Sequence, residues 1–319
     1  MLRILLNFYY KLPHDNTFGI LSKILNRGGA KTIKYFLDFF IPKYFLRTIS
    51  YHQIGINTNI SRNKKIIISL TSFPKRIEDV WIVVECLLRQ SCKPDAIILW
   101  LSKTQFEGLS LPNSLINQIP RGLTIRFVED DLKSHKKYIY AFDLFPNDYI
   151  ITVDDDLYYD DCLIENLIDL KTKFPNSIPT NRCHRIAFYE NGEIKNYRKW
   201  FHNSTESKPS FFLVPTGGFG TLYLRQDLSD SYNDIALIKG IIPYADDLWM
   251  KIQTLLANKT VVTNDKYNKD PITVKNSQLE NLVKINVKGG GNDEQFKAVL
   301  DFYDINGQDF FLKKENVLC

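Results

Sequence analysis

Four short runs rich in Ile, Val and Leu, interleaved with stretches of helical spacing, leave this chain few architectures. The first, Ile66-Ile67-Ile68-Ser69-Leu70, is apolar and β-branched almost throughout, the pattern of a strand buried on both faces. It ends in the turn Thr71-Ser72-Phe73-Pro74. Val80, Val83, Val84, Leu87 and Leu88 then share one face of a helix expected over residues 77–89. Further strands are expected at 96–101, 123–128 and 149–153, with a helix at 133–144 before the last. Strands alternating with helices predict an α/β domain whose sheet is mainly parallel and flanked by helices.

Past residue 180 the pattern changes. Segments 186–189 and 194–197 flank Glu190-Asn191-Gly192-Glu193, and Asn-Gly signals a hairpin. The patch Thr216-Gly217-Gly218-Phe219-Gly220-Thr221 leads into Leu222-Tyr223-Leu224, which reads as extended. Residues 245–257 read as a helix opened by Asp246 and Asp247, as the helix dipole prefers. A second Gly-rich turn, 288–292, leads into a helix over 293–303 with Phe296, Val299, Leu300 and Tyr303 on one face. With no internal repeat and no low-complexity linker, the chain divides into an N-terminal basic amphipathic helical extension, residues 1–62, and one domain, residues 63–319.

Charge is unevenly spread. Residues 1–50 hold eight Lys or Arg against Asp15 and Asp38, and the whole chain carries +5, so the remainder is within one charge of neutral. A nucleic-acid protein concentrates its basic excess on the body, so no nucleic-acid partner is expected. The five cysteines, Cys86, Cys92, Cys162, Cys183 and Cys319, are odd in number, widely spaced and without a CxxC, which argues against a disulfide framework and a structural zinc and for the cytosol. No apolar run reaches the roughly 18 residues needed to span a bilayer, and Lys11, Pro13, His14 and Asp15 break any signal-peptide pattern. The pieces 1–12, 18–25 and 30–45 are each amphipathic. Two readings stand: a basic aromatic surface lying on the inner face of an anionic membrane, or a helical appendage packed on the domain.

Asp154-Asp155-Asp156 follows directly on the run Tyr149-Ile150-Ile151-Thr152-Val153. Ligands of open α/β sheets bind beyond the carboxyl ends of the strands. Three adjacent acids repel one another unless a cation offsets them, and hard oxygen ligands suit Mg²⁺ or Mn²⁺, which usually also hold phosphates. In an extended segment alternate side chains face the same way, so Asp154 and Asp156 are expected to converge and Asp155 to point elsewhere. The plain alternative is an acidic loop; Asp160-Asp161, just beyond, is assigned to capping the next helix.

A strand ending in Asp-x-Asp, within a domain opening on Ile67-Ile68-Ser69-Leu70-Thr71-Ser72-Phe73-Pro74-Lys75-Arg76-Ile77, resembles the GT-A glycosyltransferases, in particular bacterial capsule and lipopolysaccharide sugar transferases. The resemblance runs from about residue 64 to about residue 300. It implies a nucleoside diphosphate sugar as donor, a surface glycan or lipid-linked glycan as acceptor, and Mn²⁺ or Mg²⁺ as cofactor. It assigns Thr71, Ser72, Phe73 and Arg76 to the base and ribose, and Asp154 and Asp156 to the metal, with Asp154 and Asp155 beside the donor. Gly217, Gly218 and Gly220 fall in a segment beside the sugars, and Asp246 and Asp247 match the acidic pair that holds the catalytic base of inverting members. Asn292-Asp293 resembles a further polar turn of the group. No His follows the late acidic helix as a third metal ligand, which leaves the metal to the Asp cluster and the diphosphate.

Each motif has a plainer reading. Asp246 and Asp247 can serve the helix dipole alone, and the glycines can form only a turn. The glycine spacing is part of a GxGxxG, but a dinucleotide fingerprint follows the first strand and opens a helix, which excludes a Rossmann oxidoreductase. Lys136 and Lys137 either approach the diphosphate or lie on a solvated helix face. His135, His184 and His202 look too scattered for a metal site. Trp200 and Phe201 either stack on an acceptor sugar or join the core. The competing functions are a non-catalytic carbohydrate-binding protein and a metal-dependent nucleotidyltransferase or phosphohydrolase.

Overall fold

The computed structural model describes residues 1–12, 19–51, 54–275 and 290–316, and the side chains of 19–27 are not considered. Seven strands form the main sheet in the order β3-β2-β1-β4-β8-β5-β9. They are β1 (Ile66–Thr71), β2 (Ala96–Ser102), β3 (Leu123–Val128), β4 (Tyr149–Val153), β5 (Ile178–Thr180), β8 (Phe219–Tyr223) and β9 (Val261–Thr263). Strands β1 to β4 pair in parallel, β8 is antiparallel to β4 and β5, and β9 is parallel to β5. Strands β6 (Cys183–Arg185) and β7 (Leu213–Pro215) form a separate antiparallel pair. The mainly parallel α/β sheet expected from the sequence is present, with strands β1 to β4 within a residue of their expected bounds.

The period of two sorts the strand residues onto two cores. Ile66, Ile68 and Leu70 join one apolar cluster and Ile67 the opposite one; Leu99 and Leu101 oppose Ile98 and Trp100 in the same way. The first face is covered by α1 (Leu2–Lys11), α2 (Gly19–Thr48), α3 (Val80–Leu88) and, further along the chain, α5 (Leu163–Lys173). The second is covered by α4 (Lys136–Leu144), α7 (Asp246–Leu256), α8 (Gly291–Phe302) and α9 (Gly307–Glu315). A short helix, α6 (Ile235–Ile241), precedes α7 and is capped by Asp234, whose carboxylate accepts from Leu237 N.

The N-terminal segment has one long helix where the sequence suggested two pieces. α2 runs unbroken past Gly28 and Gly29; a Cβ on Gly29 would stand 3.0 Å from Leu12 Cδ1, so the glycine permits the close approach of the two helices. Its inner stripe, Ile33, Leu37, Ile41 and Phe45, recurs every fourth residue and is buried on the same core as the sheet. The extension therefore completes the covering of one sheet face.

Other local readings shift. At Asn191-Gly192 a tight turn forms, with Gly192 at φ +83° and Tyr189 N donating to Glu193 O at 2.8 Å, but the pairing stops at one bridge, Phe188 to Ile194. Asp160 does not cap α5, whose N-cap is Cys162 without a side-chain bond. Asp160 is buried instead, accepting from Cys162 N, pairing with Lys266 at 2.9 Å and receiving Tyr267 Oη at 2.7 Å. Asp161 meets Arg3 of α1 at 3.5 Å. Of the second Gly-rich turn, residues 288 and 289 lie outside the described residues; Asn292 and Asp293 open α8, and Asp293 Oδ1 accepts Tyr197 N at 2.6 Å. The four described cysteines are free thiols.

Candidate active site

The chain builds β1, β2 and β3 outward in one direction, then returns to lay β4 on the other side of β1. That reversal falls between β1 and β4, and open α/β sheets bind ligands beyond the carboxyl ends of the strands at such a point. Ser69 is in register with Thr152, so the chain leaving β1 at Ser72 faces the chain leaving β4 at Asp155. Ser72 Oγ donates to Asp155 Oδ2 at 2.5 Å.

All five candidate acids gather here around two cations, Lys137, which is buried, and Arg76, which is partly so. Arg76, on the turn after β1, donates from Nη1 to Asp155 Oδ1 at 2.6 Å and lies 3.2 Å from Asp156 Oδ2. Its guanidinium also sits over the Phe73 ring, 5.3 Å from the centroid. Lys137, at the start of α4, places Nζ 2.9 Å from Asp154 Oδ1 and 2.9 Å from Asp246 Oδ2. Burial alone would lower the Lys137 ammonium, but Asp154, Asp246 and Asp247 together hold it well above its ordinary value. The backbone of Lys137 is anchored to the sheet, because its carbonyl accepts from Ser69 Oγ, which in turn accepts from Trp100 Nε1 at 2.8 Å.

One of two open readings falls away, and one expectation is corrected. Lys136 and Lys137 do not lie on a solvated face: both are buried, Lys136 against Asp131 and Lys137 in the site. Their helix packs on β1 and β4, and only acids near both ammonium groups make that burial tolerable. Nor does Asp156 converge with Asp154. The ladder slips between Thr152 and Val153 and the strand ends there, so alternation stops; Asp155 and Asp156 share Arg76 while Asp154 turns to Lys137.

Asp246 and Asp247 open α7 as expected, but neighbouring charges divide them. Burial pushes Asp246 up, yet Lys137 and His135 outweigh it and hold its carboxyl below the ordinary value. Asp247 is pushed up to about 7 by burial first and then by Asp246 and Asp154, although Lys137 and a 2.8 Å bond from Gly217 N pull the other way.

The glycine patch is a turn, and it also closes on the acids. Phe219 N donates to Thr216 O at 3.0 Å between β7 and β8, and Asp154 N donates to Gly218 O at 3.0 Å. A Cβ on Gly218 would stand 1.9 Å from Asp154 Oδ2, and one on Gly217 would stand 2.9 Å from Asp247 Oδ1. These two positions need glycine because backbone and carboxylate touch. Gly220 sits at φ +97° in β8 beside Asn181.

The remaining predicted residues are less central. Thr71 Oγ1 is used by the sheet, donating to Trp100 O at 2.8 Å. Trp200 is core, donating to Lys195 O and packing on Phe296, whereas Phe201 is 63% exposed. His184 and His202, expected to be apart, have ring centroids 4.4 Å apart; His184 accepts from Asn203 N, and His135 is buried between Tyr138 Oη and Ile242 O. A cavity of about 370 Å³ lined by Phe188, Phe201, Phe212 and Leu312 includes none of the site acids.

Carboxylate oxygens are the donors that a hard divalent cation takes. Five carboxylates face two cations, an acid excess, and the Asp154 side chain is 43% exposed where Asp155 and Asp156 are nearly covered. No three metal-binding side chains converge among the described residues. Asp154 would therefore be the principal protein ligand, with the other positions left to phosphate oxygens and water, as Mg²⁺ commonly arranges.

No protein-family model matches this chain, and no curated protein is similar to it. Solved structures are similar to it in part. Mannosyltransferase PcManGT from Pyrobaculum calidifontis, in complex with GDP-Man and Mn²⁺, is 9% identical over 88% of this chain and 77% of that one, with a TM-score of 0.46. CMP:2-keto-3-deoxy-manno-octonic acid synthetase complexed with CTP is 12% identical over 63% and 89%, with a TM-score of 0.40. HddC from Yersinia pseudotuberculosis is 12% identical over 51% and 78%, with a TM-score of 0.33. Identities this low transfer neither residues nor activity.

Proposed function

We propose that this chain transfers a hexose from a nucleoside diphosphate sugar to a hydroxyl of a surface-glycan acceptor, with inversion. The supporting observation is Asp247: a carboxyl group pushed up to about 7, bonded to the glycine turn through Gly217 N and next in the chain to Asp246, which Lys137 joins to Asp154. A base with that affinity for protons is suited to work near neutral pH.

Asp247 takes the proton of the acceptor hydroxyl as that oxygen forms a bond to the anomeric carbon. The bond from that carbon to the donor diphosphate breaks, and its electron pair leaves with the nucleoside diphosphate. Asp154 would hold Mn²⁺ or Mg²⁺, which when bound neutralises charge on the leaving diphosphate. Lys137 holds Asp154 and Asp246 in place and keeps Asp246 ionised. Arg76 and Ser72 fix Asp155 at the end of β1, beside the expected position of the nucleoside. The absent side chains of Gly217 and Gly218 let the turn close directly on Asp247 and Asp154.

A panel of nucleoside diphosphate sugars, assayed by thermal shift with and without Mn²⁺, tests this reading. One donor should raise the melting temperature and should turn over with a glycan acceptor, because a ligand of the native state must stabilise it. Absence of any shift across the panel would overturn the proposal. Stabilisation by a nucleoside triphosphate alone would favour the nucleotidyltransferase instead.

A further inference from the structure

The outer face of α2 breaks the usual distribution of side chains. While Ile33, Leu37, Ile41 and Phe45 pack inward, Tyr35, Phe36, Phe39 and Phe40 are between 42 and 65% exposed, and Leu46 is exposed beyond them. The rings pack on one another. Phe36 and Phe40 stack at 5.5 Å, Phe39 and Phe40 meet edge to face at 4.9 Å, and the Lys43 ammonium sits 3.6 Å over Phe39. A contiguous apolar patch of this kind marks an interaction site. The charges within it all have one sign. Lys31, Lys43 and Arg47 are exposed on the same stretch, and its one acid, Asp38, is turned inward to Lys34 at 3.1 Å and to Tyr158 Oη at 3.0 Å.

We propose that this face docks on an anionic lipid bilayer, with the rings at the headgroup boundary and Lys31, Lys43 and Arg47 against lipid phosphates. Aromatic rings and basic side chains on one helix face are the chemistry of interfacial anchoring. No described helix is long and apolar enough to cross a membrane, so the attachment is superficial. A second copy of the chain suits the face less well. Interface cores are depleted in Lys, and a symmetric pairing brings these cations together with no exposed acid on the stretch to answer them. Docking would set the candidate site near the lipid, because α2 is bonded to the segments around it. Lys34 donates to Thr273 O, and the next residue, Val274, donates to Asp156 O at 2.8 Å. The proposal stands whether or not the chain transfers sugars.

Flotation of the full chain tests it, using vesicles of phosphatidylcholine alone or with about a third phosphatidylglycerol. Wild type should float with the anionic vesicles and be released by about 0.5 M salt. Phe36→Ser/Phe39→Ser/Phe40→Ser should keep the wild-type melting temperature and lose at least about tenfold in partitioning. Lys31→Glu/Lys43→Glu/Arg47→Glu, which keeps the rings, should lose about a hundredfold on anionic vesicles. The idea fails if wild type ignores anionic vesicles, or if both triple variants float as wild type does. It also fails if wild type sediments as a dimer that the serine variant converts to monomer, since a second copy would then cover this face.

Discussion

The sheet's carboxyl edge and the outer face of α2 break opposite rules of protein construction. At the edge, charged groups that normally stay in water are buried: Lys137, Asp155, Asp156 and Asp246 are each less than a tenth exposed. On α2, aromatic rings that normally form cores stand in solvent. The edge meets its cost by pairing every cation with two acids, so it is stiff and costly to alter. The helix face meets no such constraint, since its rings pack on one another and under Lys43 and belong to neither core cluster. A buried charge cluster suits chemistry at fixed points, and an exposed apolar face suits a surface of no fixed shape.

The contrast can be broken most severely at Asp247. Asp247→Asn should lower turnover by about 10²- to 10⁴-fold, the range for loss of a general base. It should also raise the melting temperature at pH 8. The sign follows from linkage: a carboxyl raised in the native state binds more protons there than in the unfolded chain, so its ionisation costs stability as pH rises towards about 7. Below about pH 4 both states hold the proton, and the variant's advantage should vanish. Wild-type turnover should climb through the same region near pH 7, and a flat profile there would remove Asp247 as the base.

Lys137→Met comes next. It leaves Asp246 buried, and the half-exposed Asp154 beside it, without their shared cation and should destabilise by about 3–5 kcal/mol, read by urea unfolding at neutral pH. The loss should shrink in acid as Asp246, held below its ordinary value by Lys137, takes up a proton. An unchanged midpoint would mean that the ion pairs do not hold the edge together.

Gly218→Ala should cost about 1–3 kcal/mol, because the added methyl overlaps Asp154 and the turn must shift. Its clearer signature is a larger loss in Mn²⁺-dependent thermal shift than in stability, since Asp154 is displaced first. Serines at Phe36, Phe39 and Phe40 should change stability by no more than about 0.5 kcal/mol at neutral pH. A loss of several kcal/mol there would show that the rings belong to the core after all, and the contrast between the two regions would collapse.

Strands β1 to β4 were legible to within a residue, because burial on both faces writes a run of β-branched residues into the chain itself. The start of α7 and the turn at Gly217-Gly218 were legible too, since dipole and turn preferences act between near neighbours in sequence. The length of α2 was not: it runs through Gly28 and Gly29, residues that commonly end a helix, and Leu12 packs close to Gly29. The carboxylates were found by their place at a strand end, yet their pairing was misjudged, because a slip of the ladder at Val153 ended the alternation on which it relied.

The sequence by itself determined the alternating α/β order, the acids at the end of β4, the paired acids of α7 and a basic aromatic N-terminus. Only the tertiary structure decided that Arg76 answers Asp155 from 79 residues away, and that Lys137 joins Asp154 to Asp246. It alone decided that one side of α2 completes the core while the other meets solvent. The physical reason is range. Backbone preference and periodicity act within a few residues, but which charge neutralises which, and which of two apolar faces is covered, depends on what the sheet brings together.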